Sequence, residues 1–107
     1  MTKNSEQAGD CDALMCEAQR LRESGRLADA VLLYRQVVTA EPDNVAALYE
    51  WACVAYERGN LKNAEKLFGR VVKIAPDHAA AYTKLATIYT QQRWFGWARK
   101  TFEKALA

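Results

Sequence analysis

The sequence predicts an all-α protein in which six helices pair into three helix–turn–helix hairpins. Three observations lead to this prediction. Apolar residues recur three or four positions apart over most of the chain, as on one face of an amphipathic helix. Glycine or proline follows each of the first four such stretches, where a helix must end. The whole pattern also repeats every 34 residues, most regularly in residues 45–78.

The first hairpin follows a polar segment. Residues 1–10 have no apolar periodicity, so we expect a disordered tail there. We expect the first helix to begin at Cys11 and to end at Gly25, because glycine adopts the left-handed turn conformation without a steric penalty. A second helix is expected over residues 27–40. Pro42 ends it, since the residue before a proline disfavours helical geometry.

The second hairpin is the most regular unit. We expect a helix over residues 45–58, capped by Asp43 or Asn44, and a turn at Gly59. The following helix is expected over residues 61–75, before the proline at position 76.

The third hairpin departs from this pattern. A fifth helix is expected over residues 78–92 and a sixth from about Phe95. Arg93 stands where the two earlier turns have glycine, so we expect this turn to differ.

Composition limits the possible functions. The 107 residues suffice for one domain, and the formal net charge of +2 comes from 15 basic and 13 acidic residues. The sequence contains no long basic tract of the kind that would indicate nucleic acid or a membrane surface as a partner. No stretch approaches the about 18 apolar residues of a membrane span, and the amino terminus lacks the apolar core of a secretory signal. Three cysteines without CxxC spacing favour a reducing compartment, so we expect a cytoplasmic protein.

Residues for catalysis or metal binding are sparse. The single histidine, His78, lies in a turn, and Ser5 and Ser24 suggest no catalytic triad. Cys11 and Cys16 lie five positions apart on one helix, which is unlike the short-loop spacing of zinc ligands. We therefore expect no enzyme activity, no metal and no cofactor.

The repeats agree in residue class at equivalent positions. Six sets of residues match at the 34-residue spacing: Leu14, Leu48 and Tyr82; Ala18, Ala52 and Ala86; Ala30, Ala64 and Ala98; Tyr34, Phe68 and Phe102; Val37, Val71 and Ala105; Pro42 and Pro76. This pattern resembles the tetratricopeptide repeat, a 34-residue helix–turn–helix unit. The resemblance covers residues 11–107, as repeats 11–44, 45–78 and an incomplete 79–107. Glu17 replaces the large apolar residue seen as Trp51 and Leu85, so we expect a looser first repeat.

The resemblance implies a right-handed superhelix whose concave face is lined by the first helix of each repeat. Peptides usually dock on that face in the family, so we expect a protein or peptide partner and a role as a scaffold or assembly adaptor. The candidate groove residues are Met15, Gln19, Tyr49, Cys53, Tyr56, Thr83, Lys84 and Thr87.

Two tyrosines are candidate anchors in this groove. Tyr49 and Tyr56 lie seven positions apart, on one helix face, where they could hold an apolar segment of a partner. The alternative is that they pack against neighbouring helices.

One class of ligand is disfavoured by the resemblance. In the class of these repeats that binds acidic chaperone tails, basic and asparagine side chains clamp the terminal carboxylate. Only Lys84 fits that pattern here. Met15, Gln19 and Ala80 stand where that class has polar or basic clamp residues. The negative charge of Glu50 would repel a carboxylate.

Large apolar residues are concentrated near the end of the sequence. Exposing such side chains costs about 1.5–3 kcal/mol each relative to burial, and exposed apolar patches usually mark interfaces. We expect a truncated longer protein, such as an enzyme with a regulatory repeat domain, or a self-associating module. The third possibility is that Trp94 and Trp97 fold back over the last helix and cover it. The candidate oligomer interface comprises Trp94, Trp97, Phe102 and Leu106.

Overall fold

The described part of the protein is helical. The computed structural model describes the backbone of residues 3–91, 101, 104 and 105, and the side chains of these residues from Cys11 onward. These residues contain no β-strand and form five α-helices: α1 (Lys3–Glu23), α2 (Leu27–Ala40), α3 (Val45–Glu57), α4 (Leu61–Ile74) and α5 (Ala79–Gln91). Each helix packs against the next one along the chain. Within the described residues, every helix is too short or too polar to span a lipid bilayer.

The turns have the conformations that the sequence predicts. Gly25 and Gly59 both have a φ of 81°, in the left-handed region that side chains rarely adopt. Asn44, rather than Asp43, caps α3, because its side chain accepts a hydrogen bond from the Ala47 amide at 3.0 Å. These turns reverse the chain twice, so that α1 lies against α2 and α3 against α4.

The core lies between the paired helices. Tyr34 and Phe68, 34 residues apart, are both fully buried in it. Fully burying a large apolar side chain contributes about 1.5–3 kcal/mol, so these two positions stabilise their hairpins strongly. Helix α3 lies in the middle and is buried on most sides, including at Leu48, Val54 and Ala55. This arrangement follows from the repeat, since only stacked hairpins can cover both flanks of one helix.

The start of α1 corrects one prediction. The helix begins at Lys3, so the disordered tail expected for residues 1–10 is wrong for residues 3–10. We had expected helix only from Cys11 because the preceding residues lack an apolar stripe. Glu6, Gln7 and Ala8 are nevertheless good helix formers and no proline precedes them. Extending an existing helix costs far less than nucleating one, so the backbone can remain helical without a packed face.

The sixth expected helix lies largely outside the described residues. Thr101, Lys104 and Ala105 have helical conformation, and the Thr101 side chain is buried. The turn at Arg93 and the helix start near Phe95 both fall on residues that the structure does not describe.

Candidate functional site

Helices α1, α3 and α5 are joined side to side by polar contacts, and we call the surface that they present the odd-helix face. Between α1 and α3, the Gln19 side-chain amide donates a hydrogen bond to Glu50 Oε1 at 3.0 Å. Arg22 pairs with Glu57, with its Nε donating at 3.1 Å. A depression of about 480 Å³ lies at this junction and is also lined by Glu23. The first helices of the first two repeats therefore share one surface.

The junction between α3 and α5 extends the same surface. The Gln91 side-chain amide donates to the Tyr56 hydroxyl at 2.8 Å. Lys84 Nζ lies over the Tyr56 ring, 5.7 Å from its centroid, in a cation–π contact. Tyr56 and Lys84 are both half-buried, so each presents part of its surface to a ligand.

The two junctions use equivalent positions with different chemistry. Arg22 and Glu57 form an ion pair in the first, and the residues 34 positions later, Tyr56 and Gln91, form a neutral hydrogen bond in the second. Glu50 in the first junction is likewise replaced by Lys84 in the second. The side-chain charge at this one equivalent position therefore changes sign from one repeat to the next.

Glu50 is held by a contact that the sequence analysis missed. The hydroxyl of the fully buried Tyr34 donates to Glu50 Oε1 at 3.2 Å. Burial, followed by the nearby Glu50 carboxylate, raises the pKa of Tyr34, so the hydroxyl stays protonated as a donor. The signal was available in the repeat: Tyr34 stands where the next copy has Phe68, and a buried tyrosine hydroxyl usually has a partner.

Tyr49 packs within the protein. Its ring stacks on His78, with centroids 4.9 Å apart and planes 30° apart. It also meets the buried Phe68 edge to face at 5.5 Å. His78 is fixed in turn because its Nδ1 accepts a hydrogen bond from the Ala81 amide at 3.2 Å, which caps α5. These contacts match the alternative interpretation, in which the tyrosine packs against neighbouring elements.

Cys53 and Met15 both contact the core beneath the odd-helix face. Cys53 is only 7% exposed, and Met15 is half-buried against the core. Burial raises the pKa of the Cys53 thiol, and a hydrogen bond with Tyr49 and the charges of Arg22 and Lys84 oppose this only in part. A neutral buried thiol behaves as a small apolar residue, so Cys53 supports the floor of the face.

The threonines of α5 bind their own helix. The Thr83 hydroxyl donates to the Ala79 carbonyl at 3.1 Å, and the Thr87 hydroxyl donates to the Thr83 carbonyl at 2.9 Å. Their hydroxyl protons are therefore used within α5, while the oxygen lone pairs remain able to accept hydrogen bonds. Thr83 is exposed, and Gln19 on α1 is exposed as well. Of the predicted groove residues, Tyr56 and Lys84 thus contact each other, whereas Thr83 and Thr87 donate their hydrogen bonds within α5.

The proposed oligomer interface lies elsewhere. Trp94, Trp97, Phe102 and Leu106 lie outside the described residues. Thr101 and Lys104, which are described, line a cavity of about 260 Å³ with residues of α4 and α5. Thr101 and Lys104 themselves therefore lie beside α4 and α5.

Potential metal ligands are scattered in the described residues. Among them, no group of three or more histidine, cysteine, aspartate or glutamate side chains is arranged to hold a metal ion.

Sequence comparison identifies the family. A family model described as "Tetratricopeptide repeat" matches residues 21–88, and a second with the same description matches residues 79–107. The chain belongs to the tetratricopeptide repeat family. A comparison with curated proteins found no match. The packing of each helix against the next one along the chain is that of stacked helical hairpins.

Solved tetratricopeptide-type structures have the same fold. MamA superposes with a TM-score of 0.88 at 19% identity, over 90% of this chain and 56% of that one. The second TPR of Spaghetti (RPAP3), bound to the HSP90 peptide SRMEEVD, gives 0.85 at 16% identity, covering 95% of this chain and 96% of that one. A tetratricopeptide repeat protein from Parabacteroides merdae gives 0.85 at 22% identity, covering 88% and 37%. The chain thus spans just over half of the MamA structure.

Proposed function

We propose that this chain is a non-catalytic protein-interaction module that holds a peptide segment of a partner on the odd-helix face. The observation that carries the proposal is the continuity of that face. Hydrogen bonds from Gln19 to Glu50 and from Gln91 to Tyr56 join α1, α3 and α5 into one surface. A structural relative of similar length holds a peptide, which supports this use of the fold.

The depths of the groove residues suggest how the face would work. The floor would comprise Met15, Tyr49 and Cys53, which pack inward and keep the surface in shape. Contacts to the partner would come from the exposed Gln19 and Thr83 and from three half-buried residues, Tyr56, Lys84 and Thr87. Amide and hydroxyl groups at these positions suit the polar backbone of a bound peptide, and the Tyr56 ring suits an apolar side chain.

Several finer expectations belong to this proposal. We propose that the repeat domain covers residues 11–107, that it has six helices in a right-handed superhelix, and that it acts in the cytoplasm as a scaffold or assembly adaptor. The match to part of longer relatives such as MamA also fits a regulatory repeat segment of a larger protein.

A bulky substitution on the face tests the proposal. Peptides would be selected from a displayed library of random dodecapeptides on the wild-type chain and then titrated against Thr83→Trp. Thr83 is exposed on α5, so an indole there should block the face and abolish binding without disturbing the core. Arg35→Trp, at an exposed position of α2, is the matched control and should bind normally. Equal binding by both variants, or a library that yields no peptide, would overturn the proposal.

A second candidate function is self-association. The concentration of large apolar residues at positions 94–106 favours it. Light scattering coupled to size exclusion would then show a dimer that Trp97→Glu abolishes. A monomer at high protein concentration would contradict this candidate.

A further inference from the structure

The junction between α1 and α3 carries a carboxylate without a cationic partner. Glu50 Oε1 accepts hydrogen bonds from the Gln19 amide and the Tyr34 hydroxyl, and both donors are neutral. Arg22, the basic residue that lines the same depression, is bound through Nε and a terminal nitrogen to Glu57 and also interacts with the Tyr34 hydroxyl. Among the described residues, no ion pair to Glu50 is formed. The charge of Glu50 is therefore held in place but not neutralised.

The surroundings of Glu50 are acidic and open. The depression of about 480 Å³ beside it is lined by one basic residue, Arg22, and by three acidic ones, Glu23, Glu50 and Glu57. A lysine or arginine side chain inserted there would meet net negative charge. A carboxylate would meet repulsion, because the one guanidinium present is already engaged.

Packing alone does not require an acid at this position. The equivalent residue one repeat later is Lys84, and α3 and α5 still pack as neighbouring first helices through the Gln91–Tyr56 hydrogen bond. The helical scaffold thus accepts either sign of charge here. The combination of an acid at position 50 with a tyrosine donor at position 34 is specific to the first junction.

We propose that the α1–α3 half of the odd-helix face receives a lysine or arginine side chain of the partner, which donates charge-assisted hydrogen bonds to Glu50. This inference rests on the function proposed above and names the chemistry of the ligand. The same arrangement rejects acidic carboxy-terminal tails. Tyr34 acts as a positioning residue, because its buried hydroxyl fixes the carboxylate without reaching the ligand.

The orientation of Glu50 accounts for the role of Tyr34. A glutamate on a helix surface normally samples several rotamers, and ordering one on binding costs free energy. Two hydrogen bonds to Glu50 Oε1 restrict those rotamers before the ligand arrives. The second carboxylate oxygen remains available to the incoming cation. Loss of the Tyr34 hydroxyl should therefore weaken binding of a cation specifically.

The test selects random dodecapeptides on the wild-type chain and on Glu50→Gln. Peptides enriched by the wild type should share a lysine or arginine at one position, and Glu50→Gln should lose that preference while still capturing peptides. For one selected peptide, Glu50→Gln should bind about tenfold more weakly, as expected for loss of one charge-assisted hydrogen bond. The acidic peptide SRMEEVD should bind far more weakly than the selected one.

A matched control shows whether the effect of Glu50→Gln depends on the position of the glutamate or only on the loss of a carboxylate. Glu65 also accepts a hydrogen bond from a tyrosine, Tyr89, at 3.4 Å, but it lies on α4, away from the odd-helix face. Glu65→Gln should bind the selected peptide as the wild type does. Tyr34→Phe should weaken binding of that peptide but not of the same peptide with its basic residue replaced by norleucine. A purely structural role of the hydroxyl would weaken both peptides equally.

The outcomes distinguish this inference from the proposed function. If selected peptides show no preference for lysine or arginine, or if Glu50→Gln binds them unchanged, the inference is wrong and the binding face stands. If norleucine in the peptide leaves the wild-type affinity unchanged, the inference is also wrong, and this arm requires no protein variant. If no peptide is enriched, or if Thr83→Trp does not block binding, the proposed function fails and this inference fails with it.

Discussion

The first and second inter-repeat junctions use equivalent positions of the repeat but differ in their polar contacts. In the first, Tyr34 carries a hydroxyl from the core to Glu50 on the surface. In the second, Phe68 has no such group, and Lys84 lies over an aromatic ring. Both aromatic residues are fully buried, so the core tolerates either. The repeat therefore fixes the packing, while single polar atoms added to it determine the chemistry of each junction.

The largest expected effect comes from removing the buried aromatic ring of the second junction. Phe68→Ala should lower the free energy of unfolding by about 3–5 kcal/mol, because a fully buried aromatic side chain leaves a cavity. Tyr49 would also lose its edge-to-face partner. Urea denaturation followed by circular dichroism measures the change. A loss below about 1 kcal/mol would show that position 68 is not part of the core.

A smaller effect should follow from making the first junction resemble the second. Tyr34→Phe removes only the hydroxyl, so it should lower the free energy of unfolding by about 0.5–1.5 kcal/mol, the net value of one hydrogen bond. Urea denaturation at neutral pH measures it. An unchanged stability would indicate that water replaces the hydroxyl at Glu50 without cost.

Alkaline pH should also reveal the difference in stability between the wild type and Tyr34→Phe. The pKa of Tyr34 is raised by burial and by Glu50, so the unfolded chain releases this proton first. The contribution of this hydroxyl to the free energy of unfolding is fully present below the unfolded tyrosine pKa of about 10. It falls as the pH rises above that value. Tyr34→Phe should make this fall shallower, as measured by thermal unfolding across alkaline pH. An identical slope in both proteins would contradict the buried placement of the hydroxyl.

The smallest effect is expected at Gly69, the residue after Phe68. The equivalent residue one repeat earlier, Arg35, carries a full side chain. Among the described residues, a Cβ at Gly69 would meet no atom within 4 Å apart from its chain neighbours and its own helix backbone, and this glycine lacks the positive φ of Gly25 and Gly59. Gly69→Ala should therefore raise the free energy of unfolding by up to about 1 kcal/mol. Gly59→Ala is the contrasting control and should destabilise, because its φ is 81°.

The sequence predicted the features that depend on periodicity. The helix limits between residues 27 and 91, the glycine turns and the buried positions such as Tyr34 and Phe68 all follow from a 34-residue repeat with a 3.6-residue helical period. The start of α1 could not be predicted this way, since residues 3–10 have no apolar stripe and helix propensity alone decides there. The Arg93 turn and the aromatic residues beyond it remain predictions.

The candidate site was predicted less completely for a physical reason. The resemblance to the repeat family predicted which side chains share the face, but the sequence does not indicate how deeply each one lies. Tyr49 stays a predicted groove residue, and its contacts with Phe68 and His78 could not be predicted from the sequence. Glu50 was considered only as a charge that repels carboxylates, because its donors come from two other helices. Such contacts depend on tertiary geometry that a single sequence does not specify.

Chemical-shift mapping tests the central claim most directly. A peptide selected on the wild-type chain would be titrated into the isotope-labelled protein while backbone amide signals are followed. We predict that the largest shifts lie on α1, α3 and α5, around Gln19, Glu50, Tyr56 and Thr83. We predict little change at the exposed residues Leu32 on α2 and Lys62 on α4. Shifts concentrated on α2 and α4 would contradict the claim that the odd-helix face is the binding surface.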